Sequence, residues 1–288
     1  MTRTADTFDD IQAGVHRAAL HASPAIAALA RAGYAAKGVV YVLVGGLALL
    51  AAAGSGGATT GSRGAMRTVL TGPFGRVVLA LIAFGLASFA LWCFVRAFLD
   101  PQRDGTSAKG WARRAGEFGK GVVNGALAVA AVGLLRGSAA ASSSGGDGQN
   151  VRDWTARLMS FPMGAWLVAL VGLGVLAYGL RQVYRGFTAD MKDPLDLGKA
   201  GPAARAWAVR LSRFGTGARG VVFAVIGVFL TLSAYHANPG EAKGVGEALR
   251  TLAQQPYGPV LLGVVALGLV SYGAYQLLLA RYRRIEAP

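Results

Sequence analysis

Six stretches of this chain are too long and too apolar for the surface or core helices of a water-soluble domain, and they constrain the fold more than any other feature. They run over Tyr34–Ala53, Arg76–Phe98, Phe118–Leu135, Met163–Tyr184, Gly217–Tyr235 and Pro259–Leu279. A hydrocarbon core about 30 Å thick is crossed by roughly 20 apolar residues in a helix. Inside lipid the backbone must satisfy its own hydrogen bonds, which leaves helices or closed barrels. The blocks are continuous runs of Ala, Gly, Leu and Val without the alternation of barrel strands, so helices are expected. Only 15% of the residues are charged, against about 25% in soluble domains. Eighteen of the 42 glycines fall inside these blocks, where they suit close helix packing in lipid. A polar, charged leader precedes the first block, so no cleavable signal peptide is expected there.

Lysine and arginine are distributed unevenly about the spans. With helix-end residues included, 21 of the 29 basic residues fall on the side of the termini and 8 on the other. The positive-inside rule therefore predicts both termini in the cytoplasm, in a bacterial plasma membrane. Because this charge flanks apolar blocks, and no nucleic-acid-binding motif accompanies it, the net charge of +15 is read as topology and no nucleic-acid partner is expected. The basic face is expected to attract anionic lipid headgroups, and membrane-protein partners are a further expectation.

The spans repeat in pairs. Arg31-Ala32-Gly33-Tyr34-Ala35-Ala36-Lys37-Gly38-Val39-Val40, Arg114-Ala115-Gly116-Glu117-Phe118-Gly119-Lys120-Gly121-Val122-Val123 and Arg213-Phe214-Gly215-Thr216-Gly217-Ala218-Arg219-Gly220-Val221-Val222 align without gaps. Each opens an odd-numbered span with Arg-x-Gly-x-x-small-basic-Gly-Val-Val. The even-numbered spans follow Pro73-Phe74-Gly75, Pro162-Met163-Gly164 and Pro256-Tyr257-Gly258, and carry in register Gly85, Gly174 and Gly268, then Phe89, Tyr178 and Tyr272, then Cys93, Gln182 and Gln276. A repeat that crosses twice enters from the same side each time. The predicted fold is an all-α integral membrane protein, its six transmembrane helices arranged as three parallel helical hairpins about a pseudo-threefold axis. The expected units are a partly helical leader over 1–28, repeats over 29–103, 104–190 and 210–284, an interfacial linker over 191–209 and a tail over 285–288.

Each outer loop holds a short amphipathic stretch with one arginine: Ala65–Leu70 with Arg67, Thr155–Met159 with Arg157, and Glu247–Leu252 with Arg250. Short surface helices are expected there. Ser23-Pro24 and Gly201-Pro202 read as starts of short helices leading into the next span. Trp111 and Trp207 read as interface anchors. Gly54–Gly61 and Ala139–Gly148 read as flexible outer loops.

The two repeated signatures together resemble the domain of unknown function 1206 family, over about Leu29 to Arg284. The resemblance implies a bacterial six-span membrane protein and implies no activity. The first copy departs from the pattern, with Phe89-Ala90 for Tyr-Gly and Cys93 for Gln.

Three constellations could carry function. The stripes Gly85/Phe89/Cys93, Gly174/Tyr178/Gln182 and Gly268/Tyr272/Gln276 each lie on one helix face, either packing helices together or lining a central path. Lys37, Lys120 and Arg219 either snorkel to the interface or form a ring of three cations for a phosphate or other anion. Glu117, Lys120 and Asn124 share a face of the third span, as a local ion pair or part of an ion relay. The outer arginines could clamp an anion or face headgroups. The three histidines sit outside or at the edge of the spans, so membrane haem ligation is not expected, the lone Cys93 allows no intrachain disulfide or metal cluster, the carboxylates of Asp190–Asp196 lack a calcium-loop pattern, and no phosphate loop or nucleophile motif is present. No cofactor and no catalysis are expected. A scaffolding or lipid- and partner-interacting membrane protein is the first reading. A small-solute or ion transporter with a path on the pseudo-threefold axis is the alternative. That arrangement is similar to mitochondrial carriers, but their Pro-x-acidic-x-x-basic motif is absent. A shared cavity containing Tyr178, Gln182, Tyr272 and Gln276 would favour the alternative.

Overall fold

A computed structural model describes residues 3–99, 108–137, 147–188 and 202–282. Within them the apolar blocks are helices long enough to cross a bilayer: Ala28–Ala52, Gly75–Phe98, Arg113–Leu135, Gly164–Thr188, Ala206–Tyr235 and Gly258–Tyr282. In chain order the helices are α1 (Arg3–Ala52), α2 (Ser62–Leu70), α3 (Gly75–Leu99), α4 (Ala108–Leu135), α5 (Asp147–Met159), α6 (Gly164–Thr188), α7 (Pro202–Tyr235), α8 (Val245–Ala253) and α9 (Gly258–Tyr282), with a 3-10 turn at Pro239–Glu241. No strand occurs among the described residues. The spans are α1, α3, α4, α6, α7 and α9, and the amphipathic outer stretches are α2, α5 and α8.

Two expectations are corrected. Ser23-Pro24 does not begin a separate helix, because α1 runs unbroken for 50 residues. Pro202 does take the first helical position, but the helix it opens continues into the span as α7. A proline inside a helix removes one N–H donor, and the run of helix-forming alanines around Pro24 outweighs that single loss. Residues 139–146 of the second loop, 191–201 of the linker, the Asp190–Asp196 carboxylates and the tail lie outside the described residues. Asp147 and Gly148 open α5.

The Pro-x-Gly signature makes the same turn three times. Its middle residue is left-handed, with φ of 57° at Phe74, 63° at Met163 and 60° at Tyr257. The following glycine is required by close approach. A Cβ at Gly75, Gly164 or Gly258 would stand 2.2, 1.9 or 1.9 Å from the carbonyl oxygen of Val69, Leu158 or Ala253. Each turn thus folds an outer helix tightly onto the start of the next span.

Between repeats the even span packs on the odd span that follows: α3 on α4, α6 on α7, and α9 on α1. The glycine of Gly-Val-Val makes these contacts possible. A Cβ at Gly38 would stand 2.9 Å from the Gly273 carbonyl oxygen, and one at Gly220 would stand 2.8 Å from that of Gly179. The opening arginine secures the same interfaces. Arg114 donates from Nε to the Ala97 carbonyl (2.8 Å) and from its terminal nitrogen to that of Phe98 (3.1 Å), and Arg213 donates likewise to Gly186 and Phe187. These are carbonyls near the end of α3 and α6, where a helix has few acceptors satisfied internally.

Within repeats, α1 packs on α3 and α7 on α9. Toward the outer helices the bundle is filled by apolar side chains, among them Val44, Leu79, Leu86, Ile226 and Leu269. The outer helices close over this core, with Met66 of α2 and Leu249 of α8 fully buried. Arg152 of α5 pairs with Glu247 of α8.

Candidate functional site

The end of the bundle at which the chain enters α1 and leaves α9 is hollow. A cavity of about 240 Å³ lies there, lined by side chains from all six spans. Fifteen of its eighteen lining residues are five sequence positions, each supplied three times in repeat register; Trp92, Ser212 and Tyr275 complete the wall. Three residues before the basic position stand Tyr34, Glu117 and Thr216, and the basic position itself supplies Lys37, Lys120 and Arg219. The even spans contribute Phe89, Tyr178 and Tyr272, then Cys93, Gln182 and Gln276, then Arg96, Arg185 and Leu279. The cavity therefore surrounds the pseudo-threefold axis.

Of Lys37, Glu117, Lys120, Asn124, Tyr178, Gln182, Arg219, Tyr272 and Gln276, all but Asn124 line this cavity. Asn124 instead donates to the Lys120 carbonyl (2.7 Å), one turn back on its own helix. The glycines of the stripes serve packing where they meet a neighbour, and their aromatic and amide partners face the hollow. The outer arginines lie away from it. Arg157 stacks on Trp154, with its guanidinium 5.7 Å from the ring centre. Lys243, also in the outer cap, is held below the usual lysine range by burial, with Arg152 adding to that effect and Glu247 opposing it.

Five cations line the cavity against the single carboxylate of Glu117. Glu117 is already engaged, 2.5 Å from Lys120 and 3.3 Å from Arg96. Lys37, Arg185 and Arg219 meet no carboxylate among the described residues. Lys37 is buried, and its ammonium lies 4.9 Å from the Phe89 ring centre and 6.0 Å from that of Tyr272. Arg219 donates to the hydroxyls of Tyr41 (3.0 Å) and Tyr272 (3.1 Å) and lies over the Phe223 ring. A cation–π contact contributes about 0.5–2 kcal/mol, whereas withdrawing an ion from water costs several. The rings and hydroxyls hold the cations in place without neutralising them. What the arrangement can do chemically is bind an anion. No group of three or more His, Cys, Asp or Glu among the described residues could hold a metal ion.

The sequence reading missed Arg96 and Arg185. The signal was present: both stand seven residues past the aromatic, two turns along the same helix face.

The model of the family described as Domain of Unknown Function (DUF1206) matches residues 32–100, 115–189 and 214–283. An uncharacterized protein of Bacillus subtilis (strain 168), YxxB, is 33% identical over 262 residues, covering 91% of this chain and 93% of its own. No solved structure matches the chain. Three family matches in tandem over most of the length show that the chain belongs to this family.

Proposed function

We propose that this member of the DUF1206 family is a plasma-membrane protein, both termini cytoplasmic, that binds an anionic ligand in a cavity on its pseudo-threefold axis. The observation that carries it is the charge of the lining, five cations to one already paired carboxylate. The basic bias toward the side of the termini supports the orientation, and in that orientation the mouth of the cavity faces the cytoplasm. Apolar side chains fill the bundle beyond it, so the cavity is one-ended, and the reading is of a binding site rather than an open channel. Scaffolding through Gly-rich outer faces has less support, because Gly38, Gly179, Gly220 and Gly273 are consumed in contacts inside the bundle.

The test is thermal unfolding in an uncharged detergent with inorganic pyrophosphate as probe, at ionic strength matched with chloride. Ligand at 100 times its Kd adds about 2.7 kcal/mol to the folded state. Wild type should be stabilised and the Lys37→Met/Arg219→Gln variant should not. Equal responses from the two proteins would count against the cavity as the site.

A further inference from the structure

The threefold pattern is broken at one place. α1 packs on α3 and α7 on α9, but among the described residues the spans of the second repeat, α4 and α6, form no packed interface. The register shows what is missing. A Cβ at Gly85 would stand 2.4 Å from the Ala36 Cβ, and one at Gly268 would stand 2.1 Å from the Ala218 Cβ. At their counterpart Gly174, and at Gly119 in the place of those alanines, a Cβ would meet nothing within 4 Å. Gly116 is likewise open, whereas Gly33 and Gly215 press on Phe89 and Tyr272. Tyr178 is 41% exposed against 4% for Phe89 and 7% for Tyr272, and Val123 is 60% exposed against 3% for Val40 and 2% for Val222. Val171 is exposed where Ile82 and Val265 are buried.

This slot adjoins the cationic cavity, because Tyr178 on α6 and Lys120 on α4 are exposed and also line the cavity, beside Gln182. Gln182 is only 9% exposed, and its Nε2 has no hydrogen-bond partner. A buried amide donor left unmade costs free energy that an acceptor oxygen would recover. The slot itself is walled by glycine and by apolar residues of two membrane-spanning helices.

We propose that the slot between α4 and α6 is a lateral portal for an anionic phospholipid, an inference that rests on the anion-binding reading above. The headgroup phosphate lies among Lys37, Lys120 and Arg219, with Gln182 Nε2 donating to one of its oxygens. An acyl chain lies along Gly119, Val123, Val171 and Gly174. Charge complementarity selects the headgroup, and the apolar walls accept the chain. A phosphate already in the membrane needs no aqueous route to a site built inside it.

Native mass spectrometry from uncharged detergent tests this, using dioleoyl phosphatidylglycerol, dioleoyl phosphatidylcholine and glycerol 1-phosphate as probes. Three proteins are compared: wild type, Lys37→Met/Arg219→Gln, and Gly119→Leu/Gly174→Leu, which fills the slot without touching the cations. Wild type should retain phosphatidylglycerol about tenfold more than phosphatidylcholine, and each variant should lose that preference. The slot-filled variant should still be stabilised by pyrophosphate, which shows that it folds and that its cavity is intact. If that variant keeps phosphatidylglycerol as wild type does, or if glycerol 1-phosphate binds and the lipid does not, the portal is refuted and the anion site stands. Equal retention of both lipids by all three proteins would mean annular lipid only and refute the portal. A dimer of the chain abolished by filling the slot would assign it to a second copy and also refute the portal. Failure of every anion with wild type would sink both readings together.

Discussion

Lys37 is the residue at which stability and binding oppose each other. Its ammonium is buried among Phe89 and Tyr272, with no carboxylate near it among the described residues. Methionine has nearly the same shape, no charge, and an affinity for aromatic rings. Lys37→Met should therefore raise the unfolding free energy in anion-free detergent by about 1–3 kcal/mol, because the desolvated charge is gone. The same variant should lose most of the stabilisation by pyrophosphate. Chemical unfolding with and without the probe measures both effects. A loss of stability without anion would mean that the ammonium is satisfied by contacts within the protein. Tyr178→Phe is expected to be silent in the same assay, since Arg219 is held by the hydroxyls of Tyr41 and Tyr272.

At the scale of the helices, equivalent glycines have inequivalent surroundings. Gly85→Ala places a Cβ against Ala36 and should cost about 1–3 kcal/mol by overpacking. Gly174→Ala enters open space and should be neutral or stabilising by about 1 kcal/mol, from helix propensity alone. Paired unfolding curves decide this, and similar losses at both sites would show that α4 and α6 are packed. This inequality marks the limit of what the sequence discloses. Span number, pairing and the Pro-x-Gly turns were legible because each is written three times. The separation of α4 from α6 was not, because Gly116, Gly119 and Gly174 obey the same small-residue pattern as their packed counterparts. Pattern records which residues are small, and only the fold records whether anything approaches them. The continuity of α1 through Pro24 was hidden for a similar reason, since a proline reads equally as a helix start and as a tolerated interior residue. The cavity itself was half legible. The basic ring and the aromatic and amide positions were chosen in sequence, while Arg96 and Arg185 needed the two-turn step from the aromatic to be traced through the repeats.

For the whole molecule, three parallel hairpins create an axis, and the residues repeated about it converge at one end. Repetition supplies the positive charge there: one basic position per copy becomes a ring, and a second position adds Arg96 and Arg185. The other end is filled with apolar side chains beneath α2 and α8. The orientation predicts that cysteines introduced at Ala58, Gln149 and Gly240 react with an impermeant maleimide in intact cells. Cysteines at Trp111 and Trp207 should react only after lysis. Native Cys93 is buried and should contribute little background. Labelling of Trp111→Cys or Trp207→Cys from outside would invert the topology and move the cavity mouth to the other face.

The claim on which the account depends is that unneutralised charge on the threefold axis holds an anion. Tungstate, a heavy tetrahedral oxyanion, makes that position directly visible by anomalous scattering from crystals of the detergent-solubilised protein. The account predicts a peak enclosed by Lys37, Lys120 and Arg219 that disappears in Lys37→Met/Arg219→Gln crystals. Tungstate bound only at surface arginines, with the axis empty in wild type, would contradict it.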